Sequence, residues 1–130
     1  MRGASALQDV LRGFSGAPVA VFVVWEPILI TDARGPKAMA LARVPDSRAV
    51  QFWDPAHRVS DSMGGPSSFG PKSGAKIRFD MKKHVWDFAA VYAPGFRWRD
   101  SAASPLFAGA PVVEETTDLR TVIASALKAP

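Results

Sequence analysis

Three times in this sequence a tryptophan is followed directly by an acid: Trp25-Glu26, Trp53-Asp54 and Trp86-Asp87. Carboxylates gathered in one place beside an imidazole could bind a divalent cation. There are two histidines, His57 and His84, and His57 follows Asp54 by three residues, within reach of a hydrogen-bonded pair across a turn. Such a pair would orient the ring for acid–base work. Asp32, in the polar turn 31–35, completes the candidate set of Trp25, Glu26, Asp32, Trp53, Asp54, His57, Trp86 and Asp87. The competing reading is plainer: tryptophans pack at strand ends and the acids cap the adjoining turns. No two of these residues share the fixed helical spacing of a metal-ligand pair, so packing is preferred over a metal site.

Other chemistry is thin. Ser60 and Ser62 lie near His57, but no Gly-x-Ser-x-Gly elbow surrounds them, which argues against a serine hydrolase. The run from Gly65 to Gly70-Pro71-Lys72-Ser73 has phosphate-loop spacing. Pro71 deletes an amide needed to cradle a phosphate, and no strand precedes the run, so that reading is rejected. Lys72, Lys76, Arg78, Lys82, Lys83 and His84, interleaved with Phe69 and Phe79, form the densest basic stretch. It could track a nucleic-acid backbone; a solvated linker leading to a buried strand has the same composition and is preferred. The chain has no cysteine, which excludes disulfides, thiolate metal sites and dithiol cycling from its own residues. No cofactor is implied by any of these patterns.

The elements that must position these groups are legible from periodicity. At 130 residues, 48% apolar and 22% charged, the chain is one domain able to bury a core. A formal charge of +4 favours anionic partners only slightly. No apolar run reaches the ~20 residues of a membrane span, and the N-terminus leads into an amphipathic segment rather than the apolar core of a secretory signal. Leu7, Val10, Leu11 and Phe14 lie on one helical face, closed by glycines at 13 and 16. Residues 18–25 (PVAVFVVW) suit a strand buried on both faces, as in a parallel sheet. A short helix is expected from Pro36 to Arg43, a strand at 49–53, and a Gly/Pro/Ser-rich flexible loop over 58–78. Residues 85–92 and 96–98 read as a hairpin around Ala93-Pro94-Gly95, and 111–113 as a short extended piece. The last helix is expected from about Asp118, with Thr117 as its N-cap and Leu119, Val122, Ile123, Ala126 and Leu127 buried. The alternation of helix and strand predicts an α/β sheet built from 18–30, 49–53, 85–92 and 96–99.

Residues 49–64 (AVQFWDPAHRVSDSMG) resemble a segment of peroxiredoxin-like and membrane-anchored thioredoxin-like proteins, and residues 85–98 (VWDFAAVYAPGFRW) resemble their β-hairpin. Residues 2–11 (RGASALQDVL) are similar to the helix after the CxxC motif in those proteins, and 19–25 to the parallel strand after it. The resemblance, to a bacterial branch of the thioredoxin-like superfamily, implies a three-layer α/β/α sandwich with a mixed sheet that lacks its first, CxxC-bearing strand. Met1 stands about where the second cysteine would be, and Val85-Trp86 occupies the place of the usual cis-proline, so no redox residue carries over. A missing central strand would leave neighbouring strand edges unpaired. The expectation is therefore a non-catalytic interaction or structural module that self-associates through an exposed sheet edge, with a protein partner as a further option. The alternative is a small-molecule or metal-binding protein using Trp25, Glu26, Trp53, Asp54 and His57. Compartment is left open, although full-length relatives carrying CxxC would be extracytoplasmic.

Overall fold

The computed structural model describes residues 2–63, 84–97 and 104–129, which form a mixed helix-and-strand (α/β) protein with small sheets. Helix α1 (Arg2–Arg12) carries the apolar stripe expected of it, with Val10 and Leu11 almost fully buried. Turn hydrogen bonds from the Gly13 and Phe14 amides close it, and Gly16 at φ 77° supplies the left-handed step that lets the chain reverse. Strand β1 (Val21–Trp25) comes next, then a 3₁₀ turn over Ile30–Asp32, the short helix α2 (Ala38–Leu41) and strand β2 (Ala49–Trp53). β1 and β2 pair in parallel, Val21 opposite Ala49 through Trp25 opposite Trp53. A helix-bearing crossover is what a parallel pair requires.

Beyond β2, α3 (Arg58–Ser62) is a single turn or so of helix. Strand β3 (Ala89–Val91) then pairs antiparallel with β4 (Phe107–Gly109), and α4 (Thr116–Ala126) ends the described chain. Two cores meet at α1. Leu11 packs with Val21 and Val44 beneath β1–β2, while its neighbour Val10 packs with Phe107, Val112, Leu119 and Ile123 between β4 and α4. Burying each such aliphatic side chain contributes about 1.5–3 kcal/mol. A third, smaller cluster joins Met63 to Ala108, with Val59, Val85, Phe88 and Ala90 against it.

Arg48 ties the first half together. Its guanidinium donates to the carbonyls of Leu11, Phe14 and Ala17 and to both oxygens of Asp46. It thus caps the C-terminal end of α1 with positive charge, where the helix dipole favours it. Hydrogen bonds from the Arg48 side chain, and from its backbone amide, hold the Asp46 carboxyl at about 2, below its ordinary value. Arg120 from α4 reaches the same helix end, donating to the Asp9 and Val10 carbonyls.

Several expectations are corrected. The described strands form two separate two-stranded sheets rather than one mixed sheet. Strand β1 ends at Trp25, and the chain enters the 3₁₀ segment at Ile30. Nor is it buried on both faces: Phe22 is 67% exposed. The expected hairpin does form its turn, with Gly95 at φ 75°, but Phe96 stacks on Tyr92 at 4.8 Å instead of pairing as a strand. The true partner of β3 is β4, which brings the Leu106 amide onto the Val91 carbonyl at 2.7 Å. Residues 111–113 form a turn rather than an extended piece. Helix α2 is shorter than 36–43, and α4 begins at Thr116 with Glu115 as its N-cap, so Thr117 is inside the helix. The first five residues of the expected loop 58–78 are α3, because the carboxylates of Glu26 and Asp54, just past the ends of β1 and β2, take up its leading amides. The phosphate-loop run, all of the basic stretch except His84, and Trp98 lie outside the described residues.

Candidate functional site

Strand alternation places the side chains of β1 and β2 on two faces. Odd-numbered positions Val21, Val23 and Ala49 face α1 and Val44. Gln51 on that side donates to the Leu41 and Val44 carbonyls and accepts from the Trp25 indole at 2.9 Å. Trp53 also continues the odd side, and a Cβ on Gly35, which stands at φ 83°, would meet its indole at 3.5 Å. Trp25 and Trp53 are therefore packing residues at strand ends.

The even-numbered side reads Phe22, Val24 and Glu26 along one strand and Val50, Phe52 and Asp54 along the other. Its acidic end is occupied. Glu26 Oε1 accepts from the Ser60 amide at 3.1 Å, and Oε2 accepts from the Ser60 hydroxyl at 2.5 Å. His57 Nδ1 lies 3.1 Å from the same Oε2 and donates to it when that nitrogen carries the proton. Asp54 accepts from the Val59 amide at 2.8 Å and the Ala56 amide at 3.3 Å. Two carboxylates thus satisfy free amides at the start of α3, which is why a one-turn helix forms in a segment whose composition predicts a loop. Burial works to raise the Asp54 carboxyl, but the amides of Val59, Arg58 and Ala56 and the nearby His57 outweigh it and leave it below its ordinary value.

His57 takes a left-handed backbone (φ 55°) and stacks on His84, ring centroids 3.7 Å apart and planes 10° from parallel. The expected side-chain pair of His57 with Asp54 is replaced by its bond to Glu26. Ser60, 4% exposed, also accepts from the Val85 amide, so one hydroxyl links β1, α3 and the start of the 84–91 segment. The geometry is not that of a catalytic triad, because serine and histidine both address the carboxylate and not each other. Stacked imidazoles direct their ring nitrogens in parallel planes and do not converge on one ion. Among the described residues no group of three or more His, Asp or Glu is arranged to hold a metal.

The remaining candidates are apart from this cluster. Asp32 accepts from the Leu29 amide at 2.9 Å and closes its own 3₁₀ turn. Asp87, at φ 50°, lies against the first turn of α1, where its carboxylate occupies the space a Cβ on Gly3 would need. An acid there complements the helix dipole. Trp86 is half-exposed. The eight candidates are thus distributed over four places: Trp25 and Trp53 on the odd side, Asp32 in its own turn, Trp86 and Asp87 after residue 84, and Glu26, Asp54 and His57 brought together. Two open hollows of about 390 and 320 Å³ flank α1, lined around Ser5, Asp9 and Arg43, and neither touches any of the eight.

Residue types alone did not single out the rest of the even side. Phe22, Val50 and Phe52 are 67%, 50% and 48% exposed, and the two phenylalanine rings stack at 6.3 Å. The signal was present as a two-residue period, apolar–apolar–acid in each strand, hidden in β1 because the odd positions are apolar as well. No helix among the described residues is long and apolar enough to cross a membrane. Comparison of the chain with family models, with curated proteins and with solved structures finds no match.

Proposed function

We propose that this chain is a non-catalytic interaction module whose working surface is the even-numbered face of β1–β2, where Phe22, Val50 and Phe52 are exposed. The observation that carries the reading is the exposure of Phe22, Val50 and Phe52 side by side on a parallel pair. Parallel sheets are ordinarily covered on both faces, and a contiguous apolar patch on a small protein marks a contact surface. The acids that an enzyme or metal site would use are engaged: Glu26 and Asp54 direct their oxygens to α3, His57 and Ser60. A thioredoxin-like ancestry belongs to the same proposal; the parallel pair with α1 against one face is the part of the architecture that favours it.

The test uses a fluorescent apolar probe, anilinonaphthalene sulfonate, with the folded chain. The native protein should enhance its emission, and the double variant Phe22→Ser/Phe52→Ser should lose most of that enhancement without a lower melting temperature. Emission unchanged in the double variant would refute the reading. A melting temperature raised by stoichiometric zinc or manganese, and lost in Glu26→Gln, would favour the metal-binding alternative.

A further inference from the structure

His57 and His84, the two histidines of the chain, lie face to face, ring centroids 3.7 Å apart and planes 10° from parallel. Imidazole is the side chain whose ordinary titration falls between about pH 5 and 8, so such a stack can carry no positive charge, one or two. The acids around it act on His57. Its Nδ1 lies 3.1 Å from Glu26 Oε2 at the end of β1, and the Asp54 carboxyl at the end of β2 responds to its charge. α3 adds the Ser60 hydroxyl, whose proton goes to Glu26, and Arg58 and Asp61, which are exposed and of opposite sign. From the segment that starts at residue 84, Asp87 lies against the first turn of α1 instead. In the chain His84 directly follows Lys82 and Lys83, both of the same sign as a charged imidazole. One positive charge, on His57, is therefore offset. A second, on His84, would lie parallel to the first at stacking distance, where like charges disfavour each other.

The stack joins two segments that are anchored separately. Besides it, the Val85 amide donates to the Ser60 hydroxyl at 3.2 Å, and Val85 and Val59 pack against Met63 and Ala108. Further along, the Asp87 carbonyl accepts from the Val112 amide at 3.0 Å and residues 89–91 pair with β4. Residues 84–86 can thus part from α3 while β3 stays in its sheet. His57 also holds φ 55°, a conformation that costs a non-glycine residue and that its contacts with Glu26 and His84 maintain. We propose that His57 and His84 form a proton-sensitive latch: with neither or one ring charged the stack keeps residues 84–86 on α3, and with both charged it releases them. The released form binds one proton more than the latched form, so the latch is closed at the upper end of the histidine range and opens as pH falls through it. The latch lies beyond the apolar positions of β1–β2 and stands or falls apart from the interaction-module reading.

Amide hydrogen exchange on the full chain tests this, read at the Val85 amide and, as an internal control, at the Leu106 amide, which bonds the Val91 carbonyl. With the intrinsic pH dependence of exchange divided out, Val85 protection should fall about tenfold or more between about pH 7.5 and 5, while Leu106 keeps its own. His84→Phe retains a ring that stacks and takes no proton, so its Val85 protection should stay constant over the same range. Constant protection in the wild type would overturn the latch. So would an equal fall in His84→Phe, which would assign the pH response to the carboxylates. If His84→Phe does not fold, shown by loss of Leu106 protection, the ring protons of the wild type decide by NMR. The two imidazoles should then titrate in linked, separated steps, and two independent, coincident curves would overturn the latch.

Discussion

The two sheets invert the usual relation between strand pairing and burial. Parallel pairs belong inside proteins and antiparallel pairs tolerate water on one side. Here, among the described residues, the even face of the parallel pair β1–β2 leaves Phe22, Val50 and Phe52 exposed, while every residue of antiparallel β4 is buried. The difference lies in what reaches each sheet. β4 is held between α4, α1 and the Met63 cluster, so Phe107 and Ala108 are enclosed from both sides. Among the described residues β1–β2 receives α1 on one side and, on the other, α3 at the end where Glu26 and Asp54 lie. Position among the helices, and not the hydrogen-bond pattern of the strands, decides which apolar residues are buried.

The sharpest way to break this comparison is to truncate one phenylalanine in each sheet. Phe107→Ala should destabilise the fold by about 3–5 kcal/mol, the cost of emptying a core aromatic site, whereas Phe22→Ala should stay within about 0.5 kcal/mol in the monomer. Urea denaturation at low protein concentration checks both, and equal losses would mean the exposed face is covered in solution. A smaller effect is expected where cover of the parallel sheet begins. Glu26→Ala leaves the Ser60 amide and hydroxyl without their acceptor and should cost about 1–3 kcal/mol. Amide exchange should then quicken first in α3, while α1 keeps its protection.

The smallest effect lies at the opposite end of β2. The Asp46 carboxyl is held at about 2 by Arg48, against an ordinary value of 3.8, so the folded state takes up its proton less readily than the unfolded state. The stabilisation is full above pH ~4, declines as pH falls, and is lost below pH ~2. The stability gap between wild type and Asp46→Asn should therefore close across that window. A gap that does not change with pH would show that the contact matters through shape alone.

How far the residues foretell this arrangement depends on whether period or distance is in control. α1 and α4 announce themselves by helical spacing, because each shows one face to a core, whereas β1 and β2 stand out as short apolar runs whose two-residue period is masked in β1. β4 does not: Phe107, Ala108 and Gly109 have no alternation to detect, and only contact with β3 makes them a strand. The hairpin reading departs from the structure at Phe96, which stacks on Tyr92 and is not in a strand, while Trp98 lies outside the described residues. At the site, the pairing of tryptophan with acid correctly marks the ends of β1 and β2, and Glu26 and Asp54 do cap the start of α3. The identity of their partners is not local. Glu26 meets His57 and Ser60 across more than thirty residues, and nothing in the spacing of Asp54 and His57 indicates that the ring turns to a different carboxylate.

Arg48 bears on how this chain could be altered or recombined. One guanidinium fastens a helix end, the reversal after it and the threshold of a strand, segments separated by up to 37 positions. Lysine, with a single compact ammonium, could not address all of those oxygens from one place. Grafting any one of the three segments into another protein would strip it of that fastening, so residues 11–48 are inherited as a unit or not at all.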